Sequence, residues 1–279
     1  MRADCIELPN YPITKYKMIS VLQLGTIDYG TGLRLQEKLV GLRKEGRIGD
    51  TLLLLEHTPV ITLGRNAKST NILASPELLA HRGVEVFECD RGGDVTFHGP
   101  GQLVAYPIFD LRGFPSDNPN RQTLGVVEFV RRLEEVLIRT CAEFGIPAKR
   151  ILGLTGVWTG EQSLMTSEAK IAALGVHISR GITSHGLALN VNTDLSFFSL
   201  IIPCGITSKP VTSMQKELKR ELAMQDVAHA LSRNFGMVFH SQMLWLDNLD
   251  ALLGNNLGVP MKIPQDLRRV HGEEDTASA

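Results

Sequence analysis

The order of strand-like and helix-like segments constrains the fold of this chain more than any other feature of its sequence. The short apolar run TLLLLE has the length of a strand, whereas the stretch from Val126 to Phe144 repeats apolar residues with a helical period. Strands are predicted at 18–24, 51–56, 60–63, 84–88, 103–109, 155–160, 170–178, 185–191 and 237–245, and helices at 30–45, 76–82, 122–144 and 224–236. Strands and helices therefore mix without strict βαβ alternation. We expect an α/β or α+β domain in which helices flank a mixed sheet, and not a regular Rossmann fold.

Length and charge exclude several broad classes of protein. The chain has 279 residues, 43% of them hydrophobic, which is enough to bury a substantial core. Lysine and arginine number 29 and aspartate and glutamate 30, giving a formal net charge of −1. This balance provides no overall attraction to nucleic acid or to an anionic membrane, so neither is an expected partner.

The N-terminal residues and the apolar runs predict the compartment. Residues 1–17 carry acidic residues and prolines and lack the apolar region of a signal peptide. No apolar run approaches the roughly 18–20 residues that cross a bilayer. We therefore expect a cytoplasmic protein.

Four cysteines have different surroundings. Cys5, Cys89, Cys141 and Cys204 form no CxxC pair and no zinc-ribbon spacing, which predicts free thiols in a reducing compartment and no metal site. Cys141 falls on the apolar stripe of the long predicted helix, so we expect a buried core thiol. Cys5 is incidental in the N-terminal arm. Cys89 is either close to a site or simply a core residue at a strand end.

Cys204 stands out because it lies in a Pro-Cys-Gly turn directly after an apolar run. Proline stiffens the chain before it, and glycine permits close backbone approach after it. Local context leaves open whether Cys204 is a presented nucleophile or a small residue in a tight turn. A catalytic thiol needs a neighbouring cation or base, and Lys170, His98 and His185 are the candidates. The residues by themselves do not choose among these three.

The glycine-rich segment RGGDVTFHGPGQ at 91–102 is the second candidate for a site. It has no Walker lysine and no GxGxxG spacing, so it is not a standard phosphate loop. Its glycines alternate with polar residues and leave room for a ligand against the backbone. We interpret it as a binding loop in preference to an ordinary hairpin.

Four segments in a fixed order resemble the lipoyl(octanoyl) transferases, which share a superfamily with biotin protein ligases and lipoate–protein ligases. They are RGGDVTFHGPGQLVAYPI, KIAALGV, SHGLALNVNTDL, and IIPCGI followed by VTSM. The resemblance begins near residue 22 and extends to about residue 238. It implies a mixed sheet flanked by helices, like the catalytic core of those ligases. It also implies three regions: an N-terminal arm at 1–17, a catalytic domain at 18–245, and a C-terminal extension at 246–279 with a disordered tail.

The resemblance implies a reaction that needs no cofactor and no ATP. An octanoyl group would arrive as a thioester on acyl carrier protein and pass to the cysteine. A lysine of a lipoyl domain, in a 2-oxoacid dehydrogenase complex or the glycine cleavage H protein, would then accept it as an amide. Exchange between thioesters is nearly balanced, and conversion of a thioester to an amide is downhill. The enzyme would be a monomer that carries out the first step of protein lipoylation.

The resemblance also assigns roles to individual residues. Cys204 would be the nucleophile and Lys170 its supporting acid and base, which leaves His98 as part of the wall of the acyl site. The implied substrate-binding residues are Arg91, Gly92, Gly93, Asp94, Val95, Thr96, Phe97, His98, Ala173, Leu174, Gly175, Gly186, Leu187 and Ala188.

Two other functions compete with this interpretation. An ATP-dependent lipoate–protein ligase of the same fold would activate a free acid and would not require the thiol at position 204. A non-catalytic module would only hold an acyl chain or a lipoyl domain. Cys204 together with Lys170 favours the transferase.

Overall fold

The mixed order of predicted elements folds into one large sheet, one small sheet and helices on both faces of the large sheet. The computed structural model describes residues 17–160, 168–203 and 209–257. The strands are β1 (Lys17–Ile27), β2 (Asp50–His57), β3 (Val60–Leu63), β4 (Glu85–Glu88), β5 (Val95–His98), β6 (Gln102–Ile108), β7 (Ala148–Ile151), β8 (Leu154–Thr159), β9 (Ala169–Ser179), β10 (Ile182–Asn190) and β11 (Ser241–Trp245). The helices are α1 (Tyr29–Lys44), α2 (Pro76–His81), α3 (Val126–Glu143), α4 (Met214–Leu218), α5 (Met224–Val238) and α6 (Leu249–Leu257).

The large sheet contains eight strands in the order β11-β1-β2-β6-β10-β9-β8-β7. Its β11–β1 and β1–β2 pairs are parallel, and the remaining pairs are antiparallel. The small sheet has the order β4-β3-β5. The predicted mixed sheet flanked by helices is therefore confirmed.

Alternation along β2 explains how the large sheet is covered on both faces. Leu52 and Leu54 pack into a core with α3 and α5, whereas Leu53 and Leu55 pack into a second core with α1 and α6. Successive strand residues point to opposite faces, so an unbroken apolar run is the pattern of a strand that is buried on both sides. Cys141 of α3 is fully buried in the first core, as predicted.

Several predicted boundaries were wrong. The glycine-rich segment is not a continuous loop, because β5 occupies its middle and pairs with β3. The long helix begins at Val126 and not at 122, since Thr123 forms a bridge with Pro115. Residues 237 and 238 belong to α5, so the last predicted strand starts at Ser241. Strand β7 and helices α4 and α6 were not predicted.

Some predictions fall outside the described residues. They concern residues 1–16 of the arm and the tail of the C-terminal extension beyond residue 257. Within the described ranges, no helix combines the length and the apolar composition needed to cross a membrane.

Candidate active site

A cavity of about 380 Å³ lies between β5 of the small sheet and β6, β9 and β10 of the large sheet. The predicted site residues that line it are Arg91, Gly93, Asp94, Thr96, His98, Lys170, Ala173, Leu174, Gly175, Gly186, Leu187 and Ala188. Segments that are distant in sequence thus meet at one place. Gly92, Val95 and Phe97 are not in the lining, and Cys204 is outside the described residues.

The two long central strands β9 and β10 form one side of the cavity. Gly175 pairs directly with Gly186, and the neighbouring pairs are Leu174 with Leu187 and Ala173 with Ala188. A Cβ on Gly175 would lie 2.7 Å from the carbonyl oxygen of Gly92, and one on Gly186 would collide with the carbonyl oxygen of Ala105. The glycines therefore allow the glycine-rich segment and β6 to pack directly against these strands.

Strand β5 separates the predicted residues by its alternation. Thr96 and His98 face the cavity, whereas Val95 and Phe97 point the other way into an apolar cluster with residues of 195–201. Gly92 donates its N–H to the carbonyl oxygen of Val176 at 3.0 Å and ties the segment to β9. The roles of these residues of the glycine-rich segment in substrate binding stay predictions.

Arg91 places a buried guanidinium group at the cavity wall. It donates to the carbonyl oxygen of Thr62 at 2.7 Å and to the Thr62 hydroxyl at 2.9 Å, both from Nη2. A third bond runs from Nη1 to the carbonyl oxygen of Gly92 at 3.1 Å. These bonds hold the side chain against β3, so its charge is fixed relative to the cavity.

Buried rings lie on the side of β5 and β6. Tyr29, His98 and Tyr106 line the cavity, and His57 contacts Tyr106 from outside the lining; we call these four residues the histidine–tyrosine wall. His57 Nδ1 donates to the carbonyl oxygen of Ile27 at 3.0 Å, so its Nε2 accepts from the Tyr106 hydroxyl at 2.7 Å. The Tyr29 ring stacks on His98 with 6.3 Å between centroids. Among these residues, only His98 was predicted.

The histidines of this wall are neutral at physiological pH. Burial lowers the pKa of His57 to about 4, against an ordinary value of 6.5. Burial, with the neighbouring His57, lowers the pKa of His98 to about 3. Gln102 Oε1 accepts from His98 Nδ1 at 2.7 Å, because the Gln102 amide nitrogen already donates to Asn190 Oδ1 and to the carbonyl oxygen of Phe97. His98 Nε2 therefore carries the lone pair.

His185, one of the three candidates for a base, faces a carboxylate. Its Nε2 lies 2.7 Å from Asp90 Oδ1, and its backbone N–H donates to Gln36 Oε1 at 2.7 Å. Burial lowers the pKa of His185 although Asp90 opposes this shift. The residue has a positive φ of 55°, which is rare outside glycine.

Lys170 lines the cavity from β9, six residues before Val176, the partner of His185, and it is only 6% exposed. Its Nζ is 4.8 Å from the centroid of the Trp158 ring. Its backbone N–H donates to the carbonyl oxygen of Pro210, and its carbonyl oxygen accepts from the Thr212 N–H, both at 2.9 Å. Lys170 and Pro203 also line the same small cavity of about 10 Å³. Described residues on both sides of Cys204 therefore contact or adjoin Lys170.

Several lining residues were missed in the sequence. They are Tyr29, Asn66, Val104, Tyr106 and the segment 153–155. Alternation could have found Tyr106, because it lies two residues from Val104 on the predicted strand 103–109 and shares its face. Tyr29 and Asn66 follow strand ends, where local pattern gives no direction.

The two cysteines within the described residues, Cys89 and Cys141, have different surroundings. Burial raises the pKa of the Cys141 thiol to about 12, so it is inert in the core. Cys89 is half-buried directly after β4, and its Sγ lies 3.4 Å from the carbonyl oxygen of Leu63. Neither of them lines the cavity.

Comparison with solved structures identifies the fold. A bipartite lipoate protein ligase from Thermoplasma acidophilum superposes with a TM-score of 0.63 at 16% sequence identity, covering 91% of each chain. At this identity the match concerns the fold alone.

Comparison of sequences identifies the family. A family model described as the lipoyl protein ligase A/B catalytic domain matches residues 28–236. An octanoyltransferase from Koribacter versatilis is 60% identical over 92% of this chain and 98% of its own length. One from Acidobacterium capsulatum is 58% identical over 85% of this chain and 96% of its own length. The chain therefore belongs to the lipoyl protein ligase A/B catalytic domain family, on its octanoyltransferase branch, as its motifs predicted.

Proposed function

We propose that this octanoyltransferase moves an octanoyl group from a carrier-protein thioester to a lysine of a lipoyl domain, through a thioester on Cys204. The observation that carries the proposal is the position of Lys170. A buried ammonium group stands at the end of a largely apolar cavity, and Pro203 and Pro210 on either side of Cys204 adjoin it. A cation beside a thiol favours the thiolate, which is the nucleophilic form.

The first half of the reaction exchanges one thioester for another. The Cys204 thiolate attacks the thioester carbonyl, the bond from that carbon to the carrier sulfur breaks, and Lys170 returns a proton to the departing thiolate. The acyl-enzyme keeps the energy of the thioester bond. No step consumes ATP, because the donor is already activated.

The second half forms the amide. The ε-amine of the acceptor lysine attacks the acyl-enzyme carbonyl, and Lys170 takes up the proton that the amine loses. The C–S bond to Cys204 breaks and regenerates the Cys204 thiolate, which restores the starting pair of thiolate and protonated Lys170. Division of the barrier between two steps, each with a sulfur leaving group, is the advantage of covalent catalysis.

The cavity suits a medium-length acyl chain. Its volume of about 380 Å³ lies within the range of small-molecule sites, and Leu174, Leu187, Val104 and the alanines give it apolar sides. The neutral histidine–tyrosine wall adds no charge to this space. The polar groups lie instead near Lys170 and along the glycine-rich segment, where the thioester carbonyl would lie.

Intact mass spectrometry after incubation with octanoyl-carrier protein tests the proposal. The wild-type chain should gain one octanoyl group, and hydroxylamine should remove it. Cys204→Ser should abolish the hydroxylamine-labile adduct. Cys89→Ser is the matched control and should acylate normally, because Cys89 lies outside the cavity.

The same experiment separates the alternatives. An adduct that persists in Cys204→Ser but is absent from Cys89→Ser would overturn the assignment of the nucleophile. Absence of any adduct in the wild-type chain would indicate a binding module. Lipoylation of a lipoyl domain by Cys204→Ser from free acid and ATP would indicate a ligase. The similarity to octanoyltransferases at up to 60% identity favours the transferase over both.

A further inference from the structure

Trp158 is the aromatic residue beneath the Lys170 side chain. The two residues are direct partners across β8 and β9. Val157 pairs with Ala172 and Trp158 with Lys170, so β9 carries one extra residue, Ile171, across a single step of β8. This is a β-bulge, a feature that redirects side chains and is common beside active sites. Here it brings Lys170 over the indole ring.

The buried indole of Trp158 makes no hydrogen bond within the described residues. Trp158 is 1% exposed, yet its Nε1 has no hydrogen-bond partner among residues 17–160, 168–203 and 209–257. A buried indole N–H ordinarily finds an acceptor, so hydrogen bonding does not explain a tryptophan here. What the ring does present is its electron-rich face, with the Lys170 Nζ 4.8 Å from the centroid.

Gly156 leaves the space that the Lys170 side chain needs. A Cβ at Gly156 would lie 3.0 Å from Lys170 Cε and 3.4 Å from its Nζ. The glycine has a positive φ of 131°, and its N–H donates to the buried carboxylate of Glu134 at 3.2 Å. Gly156, Trp158 and Lys170 thus form one built unit, which we call the lysine corner.

A second cation near the ring is held by other means. Lys209 Nζ is 6.0 Å from the Trp158 centroid, at the outer limit for a cation–π contact. It donates to Glu168 Oε2 at 2.6 Å, and Glu168 also pairs with Lys149. Lys209 therefore has a carboxylate that fixes it, and Lys170 is the closer of the two ammonium groups to the ring.

We propose that Trp158 is a positioning residue that holds the Lys170 ammonium group in its reactive place through the face of its indole ring. The inference rests on the proposed function, because the position of Lys170 matters only where Lys170 is the acid and base. A cation–π contact in a desolvated site fixes the direction of approach and the distance of the ammonium group. The ring face thus restrains the amine that transfers the proton.

Fluorinated tryptophan tests the contact with almost no change in shape. The chain has two tryptophans, so Trp245→Phe leaves Trp158 as the sole site of incorporation. Trp245 lies on β11, outside the cavity lining, and its replacement should leave the acylation rate unchanged. The rate constant for acyl-enzyme formation is then measured in single turnovers. It should fall stepwise from tryptophan to monofluoro- and difluorotryptophan, because fluorine withdraws electron density from the ring face.

Natural substitutions at Trp158 measure the size of its effect on the rate, and a double-mutant cycle with Lys170→Ala isolates the contribution of the Trp158–Lys170 contact. Trp158→Phe should retain part of the rate, and Trp158→Leu should lose about tenfold, the size of a desolvated cation–π contact. In a Lys170→Ala background, fluorination should change the rate less than twofold, because the partner is gone. Melting temperature and near-ultraviolet circular dichroism of the fluorinated chain report whether the fold is intact.

The outcomes distinguish this inference from the proposed function. Equal rates for the fluorinated and unfluorinated chains overturn the role of Trp158, whatever Trp158→Leu does. A fluorine effect that persists in the Lys170→Ala background also overturns it, since the ring would then act on something else. An undiminished rate in Lys170→Ala itself overturns the proposed acid–base role, and the role of Trp158 with it.

Discussion

On the side of β5 and β6 the cavity ends at uncharged rings, whereas on the side of β8 and β9 it ends at an ammonium group. The histidine–tyrosine wall satisfies its polar atoms internally, through the His57–Tyr106 and His98–Gln102 hydrogen bonds. The lysine corner instead holds its charge over a ring face, and the backbone of Lys170 is bonded to the segment beyond Cys204. Under the proposed function the difference separates two tasks. One wall would shape an apolar space, and the other would keep a proton donor beside the reacting atoms.

Lys170→Ala tests the lysine corner most directly and carries the largest expected effect. Acyl-enzyme formation should slow about a thousandfold, within the range for loss of a general acid and base. His185→Ala is the control on the same cavity, because its imidazole is engaged by Asp90, and it should cost less than tenfold. Single-turnover rates with octanoyl-carrier protein measure both. Equal losses would mean that Lys170 contributes no more to acyl-enzyme formation than His185 does.

The pH dependence of stability tests whether the histidines of the histidine–tyrosine wall are neutral. His57 and His98 have pKa values of about 4 and about 3 in the folded chain and 6.5 when exposed, so the unfolded chain binds more protons between these values. The stability that they contribute is complete above pH 6.5 and is lost as pH falls through 6.5. Each should contribute about 2 kcal/mol of loss between pH 7 and pH 5, or about 4 kcal/mol together.

Urea denaturation at the two pH values measures this loss. His57→Gln should reduce the pH dependence, because one of the buried neutral histidines is then absent. His185, whose pKa burial also lowers, acts in the same direction. A stability that is flat from pH 7 to pH 5 would contradict a wall of buried neutral histidines.

Alanine substitutions at the paired Gly175 and Gly186 test how closely neighbouring backbone packs against β9 and β10. A Cβ at Gly186 meets the backbone of Ala105, so Gly186→Ala should reduce the free energy of unfolding by about 3 kcal/mol. Gly175→Ala should cost less, about 1–2 kcal/mol, since its shortest contact, 2.7 Å to the carbonyl oxygen of Gly92, is less severe than the one at Gly186.

Gly41→Ala is the matched control for these two variants. A Cβ there has no heavy atom within 4 Å, and α1 should become more stable by about 1 kcal/mol. Denaturation midpoints report all three glycine variants. A Gly186→Ala chain as stable as Gly41→Ala would show that β6 does not pack against β10 as closely as described.

Tyr106→Phe has the smallest expected effect and sharpens the account of the neutral wall. It removes the hydroxyl that donates to His57 Nε2 and leaves that buried nitrogen without its partner, at a cost of about 1–2 kcal/mol. Tyr29→Phe removes the other hydroxyl of the wall, and its smaller expected loss reflects the weak thiol partner Cys89. Chemical denaturation compares the two. A larger loss for Tyr29→Phe would reverse their assigned importance.

Pattern in the sequence was enough to predict much of the fold, because burial imposes periods. The two-sided run of β2 and the apolar stripe of α3 are direct consequences of what they pack against. The sequence pattern failed to predict elements whose burial does not alternate along the strand. Strand β5 is buried at all four positions and sits between glycines, and β7 is half-buried throughout with two cations among four residues. Neither produces the alternation that a strand with one wet face would show.

The site was predictable through motifs and only partly through chemistry. Local reasoning left His98, His185 and Lys170 as equal candidates, and burial explains why it could not choose: it lowers the pKa of both histidines, and only the tertiary structure shows how far each is buried. Tyr29 reaches the cavity from the first residue of α1, and Asn66 from the segment after β3. Their positions depend on where these elements lie relative to β9, and no local period predicts that.

The backbone bonds of Lys170 to Pro210 and Thr212 determine when the site is completed during synthesis. The lysine acquires its two backbone partners only after residue 212 has emerged. Helix α5, which covers one face of the large sheet, follows still later in the chain. Because a domain generally folds as a unit, the cavity and the lysine corner should be completed together, late in synthesis.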